Sequence, residues 1–155
     1  MLTHEDRFEK ALKTRKILSI LLGLFIILGI FFSVVRLPIQ MASWFVPFDV
    51  SSPTYLPIQS NNHYAKVSLY NRVKMIFENE NERVTVWVTS QIGWHNVSSW
   101  DEQTRLLDGT TAYYQENEHN QMLSWRINDV EYSIVYEGPS QLSKEEMMEM
   151  AMSFR

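Results

Sequence analysis

Between Ser90 and Gln103 the chain gathers residue types that can carry acyl-transfer chemistry: His95, Ser98, Ser99 and Asp101. A histidine beside a serine hydroxyl is a base beside a nucleophile, and a carboxylate behind the ring holds it in the useful tautomer. A hydrolase built on this loop needs His95 close to a buried carboxylate. Proximity along a loop does not supply that geometry. The other histidines, His4, His63 and His119, stand apart, with no HExxH and no pair at helical spacing, so no metal site is expected. The absence of cysteine removes thiol nucleophiles, thiolate zinc sites, disulfides and lipid-modified cysteine. Outside the N-terminal apolar run the glycines are Gly93, Gly109 and Gly138, too few for a phosphate-cradling loop, and no GxSxG is present. The expectation is therefore a non-enzyme without metal or cofactor. A hydrolase using the Ser90–Gln103 loop stands as the alternative from another class. Asn96-Val97-Ser98 is a glycosylation sequon, meaningful only in a eukaryotic secretory route.

The same loop carries Trp94 and Trp100, which suit the rim or lid of an apolar groove, since loops over rigid sheets often carry binding. With Trp87, Trp125, Met147 and Met150 they form a candidate groove for a ligand or a partner protein. A carrier-like version predicts a cavity for a lipid acyl chain lined by Trp87, Trp125 and the methionine face. Plain core packing is the competing account of such aromatics.

The elements that would position these residues follow from periodicity. Ala65, Val67 and Leu69 alternate with polar residues, Val73–Phe77 is apolar with Lys74 turned out, and Val84, Val86 and Val88 alternate with Thr85, Trp87 and Thr89. Asp108-Gly109 marks a hairpin. Leu123, Trp125 and Ile127, then Val130, Tyr132, Ile134 and Tyr136, alternate about an Asn128-Asp129 turn. A last helix opens with Ser143 and Glu146 as a capping box and Leu142 with Met147 as a staple, and turns Met147, Met150, Ala151 and Phe154 to one face. Short helices do not hold alone in water, so this one must pack on the sheet.

Ile17–Val35 runs nineteen residues without a charge. A bilayer core takes about 20 such residues, so the run reads as an uncleaved, single-pass transmembrane signal anchor. Lys10, Lys13, Arg15 and Lys16 on its N-terminal side against Arg36 on the other place the tail in the cytoplasm. Ser19, Gly23, Gly29 and Ser33 share one arc of that helix and form a candidate helix–helix contact. The full reading is α+β: residues 1–16 a cytoplasmic tail, 17–36 a transmembrane helix and 37–57 an interfacial neck with Trp44, Phe45 and Phe48. Residues 58–155 are then an extracytoplasmic curved antiparallel sheet of about six or seven strands closed by the C-terminal helix. Residues 36–155 hold nine Lys/Arg and fifteen Asp/Glu, a balance of −6 within a whole-chain net charge of −4, which argues against nucleic acid as a partner.

Pro53-Thr54-Tyr55-Leu56-Pro57 resembles the P-x-Y-L-P opening of a bacterial domain of unknown function found mostly in Gram-positive spore-formers. Further elements are similar in the same order: Leu107-Asp108-Gly109, Ala112-Tyr113-Tyr114, Leu123-Ser124-Trp125 and Val130-Glu131-Tyr132. Leu142-Ser143-Lys144-Glu145-Glu146 before Ala151-Met152-Ser153 completes the series. The resemblance implies a half-barrel like that of lipoprotein-carrier and RseB-like proteins, a bacterial cell-membrane location and a binding or envelope-signalling role toward a protein partner. It implies no catalytic residues. The 16-residue tail departs from a sigma-factor-binding domain in being too short.

Overall fold

The computed structural model describes residues 4–68, 71–91 and 100–154. Two compact units emerge, Met1–Val35 and Arg36–Arg155. The first is a helix, α1, over His4–Val34. Its described side chains run from residue 13 to residue 29 and are nearly all exposed, Phe25 at 77%. Among the described residues no helix is long and apolar enough to cross a membrane. That finding corrects the single-pass transmembrane helix of the expected fold class. The signal anchor and the cell-membrane location with an inside tail and an outside domain, which rested on that helix, are corrected with it.

The second unit is one seven-stranded sheet: β1 Asn62–Ser68, β2 Arg72–Glu78, β3 Arg83–Thr89, β4 Glu102–Arg105, β5 Thr111–Glu116, β6 Gln121–Ile127 and β7 Val130–Glu137. The strand order is β1-β2-β3-β7-β6-β5-β4 and every pairing is antiparallel. Two meanders, β1–β3 and β4–β7, are joined where β3 pairs with β7. Tight turns account for the hairpins. Gly109 sits at φ +86°, in the left-handed region that glycine tolerates without a clash, and Asn128 at φ +53°, where asparagine is the usual non-glycine choice.

Period-2 alternation in this register sorts the side chains onto two faces. One row of the inner face reads Ala65, Met75, Val86, Ile134, Leu123 and Tyr114, and the next reads Val67, Val73, Val88, Tyr132, Trp125 and Ala112. All twelve are buried. Helix α2, Lys144–Met152, lies against β6 and adds Met147, Met150 and Ala151 to this core. Its capping box is complete. The Ser143 hydroxyl accepts from the Glu146 N–H, and the Glu146 carboxylate accepts from the Ser143 N–H at 2.8 Å. Donation to the carboxylate from the Ser143 N–H and the Ser143 hydroxyl holds the Glu146 carboxyl below its ordinary range. Gln121, buried at the start of β6, fixes the chain entering α2: its amide donates to the Leu142 carbonyl and accepts from the Leu142 N–H, both at 2.8 Å.

The segment before β1 straps the same face. Its four prolines break it up, and a 3₁₀ turn, Ile39–Phe45, is the helix it contains. Leu37 exchanges two backbone hydrogen bonds with Ala65, at 2.8 and 2.7 Å, covering part of the free edge of β1. Further on, the Thr54 N–H and hydroxyl both donate to the Ser153 carbonyl, and the Tyr55 N–H donates to the Ser153 hydroxyl. This latch sets Phe154 edge-on to Trp125 and Tyr132, at 5.3 and 5.5 Å between ring centroids.

Candidate functional site

The expected groove residues fall on opposite sides of the sheet. Trp125, Met147 and Met150 are fully buried on the inner face, where Trp125 stacks on Tyr132 at 5.4 Å. Burial raises the Tyr132 hydroxyl pKa, against hydrogen bonds from Ser51 that lower it. Trp87 pairs in register with Ser133 and points to the outer face. No single wall joins Trp87 to Trp125, so the cavity expected from those two rings and the methionines is replaced by a filled core. Trp100 packs on Tyr113, another outer-face residue, at 5.8 Å. Trp94 lies outside the described residues.

The outer face has its own order. Lys66, Lys74, Trp87, Ser133, Ser124, Tyr113 and Gln103 form one row across all seven strands, and Arg72, Thr89, Glu131 and Arg126 form the next. Trp87 is half-buried and carries two cations over its ring, the Lys74 ammonium at 4.9 Å and the Arg72 guanidinium at 5.9 Å. On β1 the Tyr64 ring carries the Arg36 guanidinium 4.4 Å from its centroid. The centre of this face is covered: Ser124 and Ser133 are fully buried and Glu131 is 1% exposed. Ser124 donates to the Tyr132 carbonyl, whereas among the described residues the Ser133 hydroxyl and the Trp100 indole N–H have no hydrogen-bond partner.

The components of the hydrolase alternative are only partly placed. His95, Ser98 and Ser99 lie outside the described residues. Asp101 is exposed, and its carboxylate accepts from the Glu116 N–H at 2.8 Å. Glu131 is a buried carboxylate that the alternation pattern gave no reason to select. Among the described residues no three His, Asp or Glu side chains are grouped to hold a metal ion. His63 stands on an open cleft of about 270 Å³ bounded also by Ile39, Pro53, Leu56 and Phe77. Of the helix-contact candidates, the Ser19 hydroxyl bonds back to the Arg15 carbonyl at 3.0 Å. Among the described residues nothing lies within 4 Å of the positions a side chain would take at Gly23 or Gly29, and Ser33 is in the last turn of α1.

A seven-stranded antiparallel sheet, packed on one face by a C-terminal helix and a proline-rich strap, defines a small α+β domain with no recognisable catalytic constellation among its described residues. The chain belongs to the family described as a domain of unknown function, DUF4367, whose model matches residues 50–154. No curated protein and no solved structure matches it.

Proposed function

We propose that this domain is a non-enzymatic contact module, with a regulatory role exercised by meeting a protein partner through the outer face of its sheet. The observation that carries this reading is the filled inner face. Trp125, Met147 and Met150 are all 0% exposed, so the side of the sheet best suited to swallowing a ligand is occupied by the protein itself. On the outer face a tryptophan is left half-buried among cations, the residue mix that dominates contact energies at protein interfaces. We extend the proposal to kinship with the lipoprotein-carrier and RseB-like half-barrels, supported by the antiparallel sheet with a helix against its inner face.

Carriage of a lipid or acyl chain is the second reading, favoured by the open cleft beside Ile39, Leu56 and Phe77. A photo-cross-linking residue placed at position 87 of the full chain, with one at the exposed Leu107 as control, tests the first against the second in the native host. A discrete protein adduct at 87 and none at 107 is the expected result. No adduct at 87, together with a lipid mass retained in native mass spectrometry, would replace contact by carriage.

A further inference from the structure

Lys66 and Lys74 face each other directly across β1 and β2, and both are half-buried. Like charges directly opposite on a sheet repel, and partial burial weakens the solvent screening that would relieve them. The chain holds ample acid to neutralise them, with 15 Asp/Glu against nine Lys/Arg over residues 36–155. Yet among the described residues no carboxylate forms a salt bridge with Lys66, Arg72 or Lys74; the ion pairs use Arg83, Arg126 and Lys144. Lys74 and Arg72 rest instead on the Trp87 ring. The carboxylate in the nearest row, buried Glu131, is two strands from Arg72 in register. The outer side of β1–β3 is thus a cationic platform on an acidic domain.

Resting on the contact reading above, we propose that this platform binds an acidic, extended segment of a protein partner. The spacing selects that ligand. Arg72 and Lys74 are two residues apart on one strand, so their side chains repeat at about 6.8 Å along the face. An extended peptide with an acidic residue at every second position repeats at the same pitch. Its carboxylates fall over Arg72 and between Lys66 and Lys74, and its intervening side chains point away from the sheet. A nucleic acid is disfavoured because the surrounding charge is negative.

The test uses the full chain and a synthetic peptide alternating Glu and Thr, read by fluorescence anisotropy. Two signatures together support the proposal. The peptide binds with an affinity that falls as salt is raised. Lys74→Glu then weakens binding roughly tenfold or more, while raising the thermal midpoint because Lys66 gains an opposite charge across the strand pair. A purely structural role for Lys74 on Trp87 would move the midpoint the other way and would overturn the proposal. So would the absence of binding, binding unchanged by Lys74→Glu, or equal binding to duplex DNA. Cross-linking at position 87 separates this from the broader reading. An adduct that persists in Lys74→Glu leaves the contact reading standing and removes the acidic segment, whereas no adduct at all removes the contact reading itself.

Discussion

The two faces of the sheet carry one tryptophan each in neighbouring registers, and the molecule treats them in opposite ways. Trp125 is sealed between Tyr132 and Phe154 beneath α2, fully removed from solvent. Trp87, one residue-row away through the pleat, stays half-buried under two cationic side chains. Aromatic area is expended for stability on one side and held available on the other. A chain whose alternation writes both positions as "aromatic in a strand" therefore makes a core and a contact surface from the same pattern.

Substitutions that separate the faces should rank accordingly. Trp125→Ala opens a cavity under α2 and breaks two ring contacts. It should lower stability by about 3–5 kcal/mol in urea unfolding, and a loss under half of that would mean that the inner face is looser than its burial indicates. Gln121→Leu leaves the Leu142 N–H and carbonyl without partners at the entry to α2 and should cost about 1–3 kcal/mol. Hydrogen exchange should show the loss concentrated in α2 and β6. Ser143→Ala removes the N-cap and should cost about 1 kcal/mol. It should also change the acid response. Glu146 has a folded pKa below its ordinary value, so its contribution is present above about pH 4.3 and is lost as pH falls through the folded pKa. The wild-type thermal midpoint should fall over that acid range, and the slope should flatten in Ser143→Ala. Smallest of all, Trp87→Ala should change stability by less than about 1 kcal/mol while weakening anisotropy-detected binding of the acidic peptide at the outer face. A large loss of stability there would erase the distinction between the faces.

Much of this architecture was legible because it is local. Alternation at Val84–Val88 and Val130–Tyr136, the Asp108-Gly109 and Asn128-Asp129 turns, and the Ser143–Glu146 box each act within a few residues, and each is found where the pattern places it. What could not be read was which strand lies beside which. Pairing β3 with β7 brings together residues some fifty positions apart, and only that register shows that Trp87 and Trp125 point away from each other. That separation divides the described candidate groove residues between the two faces. The buried polar residues Gln121 and Glu131 were equally invisible, because a glutamine or glutamate in a strand reads as solvent-facing unless its distant partners are known. The latch of Thr54 and Tyr55 to Ser153 unites two motifs at opposite ends of the resemblance, with no local sign that they touch.

That latch has a consequence for biosynthesis. The first segment of the domain to leave the ribosome is held by the last, and the central β3–β7 pairing also waits for late residues. β1–β3 can form a meander early, but it emerges with Val67, Val73, Val86 and Val88 uncovered until β6, β7 and α2 arrive. A nascent chain stalled before Ser143 should therefore remain protease-sensitive, and one in which Phe154 has emerged should acquire protection in a single step.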